Sequence, residues 1–412
     1  MKFPARLPIV AMFLLFSFAT AGQSQAESNW PGWRGPAGTG WSNETGVPVE
    51  WSGEDLDWKV ELTGLGQSSP VVWGERIFLT SATDGGRQRI VMCLDRATGK
   101  LLWRQTAWSG EPEPAHGMNM HASATCVTDG ERVIAFFGRA GIHCYDLEGQ
   151  KIWSRDLGQF ENPWGTAASP ILFQDLVIQN CDAEDDASIV GLDKRTGETI
   201  WQTPRERLRG WSTPILVPMD GRTEVVVNGE RGVNAYDAHT GQELWFYEGD
   251  RGRGTPTVTK FEDFLIAVSG RPGAMFAMRP GGSGVVNETH EVWRTQRGGR
   301  DLPSPIVIGD FLVVVGHRTG VATCYEAATG RELDRIRLEG KFSASPISVE
   351  GLLYIPNETG EVFVIKPDEK LTIAARNQLP DVADEEVFRA SITPHRGQLL
   401  IRSDRALYCV GN

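Results

Sequence analysis

The chain has 412 residues, of which 40% are hydrophobic and 23% charged, and its formal net charge is −12 at pH 7. The hydrophobic fraction is high enough to form a large buried core, which excludes a disordered chain. The negative net charge excludes a strongly basic nucleic-acid-binding protein. The 47 glycines and 23 prolines predict many turns and argue against a helical bundle.

Residues 1–26 have the features of an export signal. A basic N-terminus precedes an apolar segment at 9–19, and small residues follow, with cleavage expected after Ala26 or, as the alternative, after Ala21. No later apolar segment approaches the roughly 18 residues that cross a membrane, and no cysteine directly follows the first one as a lipid anchor would require. We therefore expect a periplasmic or secreted protein without a membrane span.

A repeat runs through the rest of the chain. Each unit opens with a small residue, usually followed by proline. The third strand ends in an Asp-x-x-Thr-Gly turn at 95–99, 193–197 and 237–241, with 326–330 as a variant. Four short antiparallel strands every 40 to 55 residues or so are typical of a propeller blade. The repeat predicts an all-β, eight-bladed β-propeller of four-stranded antiparallel blades. The eight openings are Ser69, Ala124, Ser169, Thr213, Thr255, Ser304, Ser345 and Ser391.

In four units a tryptophan on the fourth, outer strand lies four residues after the turn glycine, and two further units carry a tryptophan on this strand without that turn. A large ring at this position is expected to pack between neighbouring blades, which is a structural role. The tryptophans assigned to blade packing are Trp58, Trp103, Trp153, Trp201, Trp245 and Trp293.

The last unit has only three strands before the chain ends. The missing outer strand is present near the N-terminus, at residues 56–62, and its pairing with the last unit would close the ring without an open edge. The expected organisation is a signal peptide at 1–26, an N-terminal strap at 27–51 and one propeller domain at 52–412.

The six cysteines do not suggest disulfides, although exported proteins often contain them. Four of them occupy the same place in different repeats, and equivalent sites in different blades are too far apart to bridge. The other two, Cys126 and Cys181, have no evident partner. We predict buried free thiols.

One end of the channel is the best candidate for a ligand site. The loops that meet there are rich in arginine, which binds carboxylate, phosphate or sulfate through paired N–H groups. Acidic residues also occur there, so solvent-exposed arginines without a ligand are the alternative. Trp164 and Trp211 precede the third and fourth inner strands, where they could stack on a ligand or pack under a loop. The candidates at this channel mouth are Trp164, Arg209, Trp211, Arg231, Arg253, Arg300, Asp301, Lys341 and Arg389.

Motifs for metal binding or catalysis are weak. The acidic hairpin at 182–186 lacks the pattern of a calcium loop, and His116 and His121 show no defined ligand spacing. No Gly-x-Ser-x-Gly elbow leads into a helix. We predict no catalytic residue and no metal site.

The Asp-x-x-Thr-Gly-x-x-x-Trp closure resembles the pyrroloquinoline-quinone-like (PQQ-like) β-propeller repeat. The Trp-Pro-Gly-Trp-Arg-Gly-Pro segment at 30–36 resembles exported propellers of planctomycete-type bacteria. One branch of this superfamily comprises dehydrogenases that hold the quinone over the channel with Ca²⁺, an Asp base and a tryptophan. The other comprises non-enzymatic BamB-like scaffolds. The chain resembles the scaffolds in length and short loops, and it lacks the adjacent Cys-Cys pair of many dehydrogenases and the Cys-x-x-Cys-His haem motif.

The resemblance implies a monomeric binding or scaffold module with no cofactor, which engages a protein, an anionic ligand or a glycan at the channel mouth. The alternative is a PQQ- and Ca²⁺-dependent dehydrogenase of alcohols or sugars. In that case arginines would meet the carboxylates of the quinone, Asp301 would serve as the base, and Trp164 or Trp211 would stack on the ring. A polysaccharide-binding propeller is the second alternative. No nucleic-acid partner is expected.

Overall fold

The strands form eight sheets around a central channel, in a computed structural model that describes residues 29–160, 162–270, 273–298 and 302–411. Each sheet contains four antiparallel strands, and seven of the sheets take these strands in chain order. The prediction of an eight-bladed β-propeller is therefore confirmed. The predicted signal peptide lies outside the described residues.

We number the blades 1 to 8 along the chain and give their strands from the inner to the outer one. Blades 1 to 4 are Val71–Trp73, Arg76–Thr83, Gln88–Asp95, Leu101–Ser109; Val127–Thr128, Arg132–Phe136, Ile142–Asp146, Lys151–Arg155; Ile171–Phe173, Leu176–Cys181, Ser188–Asp193, Thr199–Pro204; and Ile215–Met219, Arg222–Asn228, Gly232–Asp237, Glu243–Glu248. Blades 5 to 8 are Thr259–Phe261, Phe264–Val268, Met275–Met278, Glu291–Thr295; Ile306–Ile308, Phe311–Val315, Val321–Glu326, Glu332–Arg337; Ile347–Val349, Leu352–Pro356, Glu361–Lys366, Thr372–Gln378; and Thr393–His395, Gln398–Arg402, Ala406–Val410, Leu56–Glu61.

Two further strands add to the edges of blades. Gly284–Val285 pairs in parallel with the outer strand of blade 4, and Trp41–Ser42 pairs in parallel with the inner strand of blade 7. The described helices are short: the 3-10 turns Gly53–Asp55, Asp84–Gly86 and Gly138–Ala140, and the α-helical turn Asn287–His290. None of them is long and apolar enough to cross a membrane.

The core lies between the blades, because each sheet packs its two faces against its neighbours. Central strands are therefore largely apolar, and Phe264–Val268 and Ala406–Val410 are buried at every position. Outer strands alternate instead, and in Lys151–Arg155 only Trp153 is buried. All six cysteines are buried free thiols within this core, and burial raises the pKa of Cys93 to about 12.

The N-terminal strand closes the ring as predicted. Leu56–Glu61 pairs antiparallel with Ala406–Val410, and Trp58 stands opposite Cys409. The closing seam carries a further link, because Arg96 of blade 1 donates to Nδ1 of His395 in blade 8 at 2.9 Å. The circle is thus held by hydrogen bonds and packing rather than by a covalent bond.

The outer-strand tryptophans lie against the turn of the following blade. A Cβ atom added to Gly149 would lie 2.7 Å from the ring of Trp103, so this glycine is needed for space as well as for its positive φ. The pairs of ring and glycine are Trp58 with Gly99, Trp103 with Gly149, Trp153 with Gly197, Trp201 with Gly241, and Trp293 with Gly330. Trp245 differs, since its indole N–H donates to the buried carboxylate of Glu224 at 2.8 Å.

The strap crosses the channel at the level of the inner strands. It bonds to the inner strands of opposite blades or to residues beside them, so its path must pass the channel axis. The contacts are Trp30 with Val72 of blade 1, Pro31 with Thr128 of blade 2, Arg34 with Pro305 of blade 6, and Gly40 with Ser348 of blade 7.

Candidate ligand site at the channel mouth

A ring of eight hydroxyl side chains, one from each blade, surrounds the channel. Each lies two residues before its inner strand. We call this ring the hydroxyl belt: Ser69, Thr125, Ser169, Thr213, Thr257, Ser304, Ser345 and Ser391.

Hydrogen bonds across every seam join the belt. Seven of its oxygens accept the backbone N–H of the belt residue in the preceding blade, at 2.9 to 3.2 Å. The bond from Ser391 N–H to Ser69 Oγ spans the closing seam. Between blades 4 and 5 the Thr257 hydroxyl donates to the Thr213 carbonyl instead, at 3.1 Å.

The belt corrects two of the unit openings. Ala124 and Thr255 were placed by their resemblance to a Ser-Pro opening, whereas the equivalent positions are Thr125 and Thr257. In blade 5 the proline at 256 imitates the pattern, but the inner strand starts only at Thr259. The prediction was therefore wrong by two residues there and by one in blade 2.

A cavity of about 290 Å³ opens from the belt to solvent at the channel mouth. Trp33 of the strap contributes to it from the channel side, and links between blades supply Trp164 and Trp211. The lining also includes three arginines and two histidines: Arg253, Arg318, Arg389, His116 and His317. None of the described residues that line this cavity is an aspartate or a glutamate.

The two predicted stacking tryptophans both line the cavity, but their surroundings differ. The Trp164 ring contacts His116, with 4.6 Å between the ring centroids, and the Arg253 guanidinium lies 5.7 Å from its centroid. Trp211 donates its indole N–H to the Gly165 carbonyl at 2.8 Å, which fixes its ring. No ring or cation of a described residue contacts Trp211, so it is the better stacking surface.

The arginines of the cavity are unequally neutralised. Arg389 is half-buried and donates to the Glu358 carboxylate at 3.0 Å, whereas exposed Arg318 forms no ion pair within the described part of the chain. Burial alone would raise the pKa of Glu358, but the hydrogen bond from Ser343 and the charge of Arg389 outweigh it and lower that pKa. Glu358 does not line the cavity, so the lining keeps a positive excess.

Three predicted site residues lie elsewhere. Arg209 and Arg231 line a separate groove of about 320 Å³ between blades 3 and 4, where Arg209 pairs with Glu184. Lys341 is exposed and lines neither depression. Arg300 and Asp301 lie outside the described residues.

The long link between blades 1 and 2 lies across the mouth. Asn119 donates from its amide to the Trp164 carbonyl at 2.7 Å, and Arg389 donates to the Gly117 carbonyl at 2.9 Å. His116 thus belongs to an aromatic wall, and among the described residues no group of three His, Cys, Asp or Glu side chains could hold a metal ion.

Sequence reasoning missed Trp33 and His317. Nothing in the local sequence of the strap indicates that it crosses the channel, because its contacts are with residues about 40 to 310 positions away. The signal that was available for His317 is its place beside Arg318, in the same turn of blade 6.

Comparison with known proteins supports the fold assignment. The sequence profile of the family described as outer membrane protein assembly factor BamB matches residues 44–182, 183–275 and 283–379. No curated protein matches the chain in sequence.

Solved structures share the fold at low identity. BamB from Moraxella catarrhalis superposes with a TM-score of 0.60 at 16% identity, covering 86% of this chain and 98% of its own. A europium-containing methanol dehydrogenase reaches a TM-score of 0.71 at 11% identity, with coverages of 91% and 89%. The quinohemoprotein alcohol dehydrogenase ADHIIG from Pseudomonas putida HK5 reaches 0.64 at 11% identity, with coverages of 93% and 80%.

Proposed function

The chain belongs to the family of the outer membrane protein assembly factor BamB, and from this premise we propose that it is a non-catalytic binding module. Its ligand is a small anionic molecule, or an acidic group of a partner protein, held in the cavity at the channel mouth. The observation that carries the proposal is the lining itself, which contains three arginines and no described carboxylate.

The chemistry of the lining supports an anion with a flat ring. The whole chain has 53 acidic and 41 basic residues, so a cavity without described acidic residues is locally opposite to the net charge. Arginine donates paired N–H groups to an oxyanion, and the Trp211 ring offers a face for stacking. The cavity is near the lower end of the range of about 300 to 1,000 Å³ for small-molecule sites.

Export belongs to the same proposal. The N-terminal sequence pattern supports a periplasmic or secreted protein, and the assembly role in the family's name supports a protein partner. An acidic segment of such a partner would present the same carboxylates to the cavity as a small ligand would.

A second candidate is a quinone-dependent dehydrogenase, which the fold of the methanol dehydrogenase favours. The arginines and Trp211 suit the carboxylates and the flat ring of the quinone. Ca²⁺, however, takes about six to eight oxygen ligands, with carboxylates prominent among them. No described residue of the lining supplies a carboxylate, so the described residues do not fit a Ca²⁺-bound quinone.

The proposal is tested by calorimetric titration of the mature protein at pH 7 with benzene-1,3,5-tricarboxylate, a flat tri-anion. We expect one-to-one binding that the charge reversal Arg318→Glu weakens about tenfold or more. Lys341→Glu is the matched control, because Lys341 is exposed and outside the cavity. Absence of binding at millimolar probe, or equal affinity in all three proteins, would overturn the proposal.

A parallel titration with pyrroloquinoline quinone, with and without Ca²⁺, decides between the two candidates. Binding of the quinone that does not depend on Ca²⁺, without alcohol- or sugar-driven reduction of a dye, is the result expected for a binding module. Ca²⁺-dependent binding together with such reduction would replace the proposal by the dehydrogenase.

A further inference from the structure

The hydroxyl belt has unused hydrogen-bond donors. A serine or threonine hydroxyl has one proton to donate and lone pairs to accept. In seven belt residues the oxygen already accepts a backbone N–H. No described residue receives a hydrogen bond from any of these seven hydroxyls, so their protons can turn towards the channel.

A buried positive charge lies beside this belt. Arg34 of the strap is 1% exposed, and its Nη2 donates to the carbonyl of Pro305 at 2.9 Å. Its Nε and Nη1 have no hydrogen-bond partner, and no carboxylate of the described chain pairs with it. Burial lowers the pKa of Arg34 to about 9, so the group remains cationic at pH 7.

The position of Arg34 links it to the cavity. Pro305 directly follows Ser304 of the belt, and the Arg34 guanidinium lies 5.7 Å from the centroid of the Trp33 ring. Trp33 lines the cavity and Arg34 itself does not, so the Arg34 charge lies behind the lining at the Trp33 end, which we call the cavity floor.

An unpaired buried charge destabilises the fold unless another group compensates it. The belt offers donors without acceptors, and Arg34 offers a cation without an anion. One negatively charged oxygen group at the floor of the cavity would accept hydrogen bonds from the belt hydroxyls and would balance the positive charge of Arg34.

We infer that the belt forms an oxyanion site at the cavity floor, with the Arg34 charge behind it, so that the ligand enters with a carboxylate, phosphate or sulfate group first. The inference rests on the proposed function and adds the orientation of the ligand. The arginines at the rim, Arg253 and Arg318, then face the outer end of the ligand. The ligand is thus an anion at both ends rather than a molecule with a single charged group.

Titration of the full mature protein with benzene-1,3,5-tricarboxylate and with benzoate tests this assignment. We expect Arg34→Met to weaken the binding of the tricarboxylate about tenfold or more. The buried Arg34 guanidinium is shielded from solvent, so its attraction for a carboxylate of the probe is only weakly reduced by water. The melting temperature of Arg34→Met should be equal to or above that of the wild type, since the substitution removes an unpaired charge. Arg209→Met in the groove is the control for the change in net charge, and its affinity should equal that of the wild type.

The belt provides a second pair of variants. Ser345→Ala removes one donor and should weaken binding several-fold, whereas Ser345→Thr keeps a hydroxyl at the same position and should restore the binding. If Arg34→Met fails to fold, this pair decides the question. Benzoate, which has one carboxylate, should bind far more weakly than the tricarboxylate.

The outcomes separate this inference from the proposed function. Wild-type affinity in both Arg34→Met and Ser345→Ala, combined with a loss in Arg318→Glu, would overturn the floor site and leave the proposed function standing. No binding of the tricarboxylate to the wild type would overturn both. Binding that falls in Arg34→Met but not in Arg209→Met is the result that supports the floor site.

Discussion

The cavity and the groove both contain three arginines, and the two sets have different partners. In the groove, Arg205 pairs with buried Asp182 at 2.6 Å, Arg209 with Glu184, and Arg231 with Glu206 and Glu248. In the cavity no described aspartate or glutamate belongs to the lining, Arg389 pairs with Glu358 behind it, and Arg318 forms no ion pair within the described part of the chain. The number of arginines in a depression therefore does not by itself identify a ligand-binding site. The carboxylates within reach decide whether an arginine is structural or available to a ligand.

Both regions use the same kinds of loop. Links between blades and turns between second and third strands form the groove as well as the cavity, but the groove residues lie further from the belt. There the turns of blades 3 and 4 place acidic side chains beside the arginines. Nearer the channel axis the cavity is lined by the belt hydroxyls, and no described acidic residue belongs to its lining.

The largest expected effect concerns stability in the groove. Arg205→Met leaves Asp182 as a buried charge without its partner and should lower the free energy of unfolding by about 3 to 5 kcal/mol. Burial alone would lower the pKa of Arg205, but the charge of Asp182 raises it, which agrees with a strongly coupled pair. Urea unfolding measures the change.

Matched variants sharpen this result. The double variant with Asp182→Asn should recover much of the lost free energy, and Arg318→Met in the cavity should change stability by less than about 0.5 kcal/mol. A loss of several kcal/mol in Arg318→Met would show that the cavity arginine is structural too, and the comparison would fail.

A smaller effect is expected from the aromatic residues of the two regions. Trp211→Ala removes the stacking face and should weaken binding of benzene-1,3,5-tricarboxylate about tenfold, corresponding to about 1.4 kcal/mol. Phe246→Ala removes the ring that lies 5.7 Å from the Arg231 guanidinium in the groove and should leave this affinity unchanged. Calorimetry on both variants checks the pair. Equal weakening in the two would mean that the probe does not distinguish cavity from groove.

The smallest expected effect is a pH dependence of the free energy of unfolding that arises from Glu358, which lies behind the cavity lining. Because the pKa of Glu358 is lowered in the folded chain, its contribution to stability is present above the usual pKa of about 4.3 and is lost as the pH falls through the folded value. Glu358→Gln should remove this dependence, which we expect to be about 1 kcal/mol. Unfolding free energies of both proteins between pH 7 and pH 3 test it. An unchanged pH profile in the variant would contradict the assignment.

The sequence predicted the fold well because its signals are local. The outer-strand tryptophan occurs in six blades and the Asp-x-x-Thr-Gly turn in three, with 326–330 as a variant. The lone strand at 56–62 could pair only with the incomplete last unit. The site was predicted only in part. Trp164, Trp211, Arg253 and Arg389 come together at the cavity, whereas Arg209, Arg231 and Lys341 do not.

The order of the loops along the chain predicts on which face of the propeller a loop residue lies, but it does not predict how far that residue is from the channel axis. Whether Arg209 points to the channel or to Glu184 depends on the neighbouring hairpin, which no local pattern reveals. The place of Trp33 depends on strap contacts with blades far away in sequence. The belt residue of blade 5 was misplaced because Pro256 imitates an opening two residues too early.

A crystal structure of the protein with benzene-1,3,5-tricarboxylate tests the central claim most directly. The account predicts the probe in the cavity, with its ring against Trp211, one carboxylate at the hydroxyl belt and another within hydrogen-bond distance of Arg318. A probe bound in the groove beside Arg209 and Arg231, with the cavity free of it, would contradict the account.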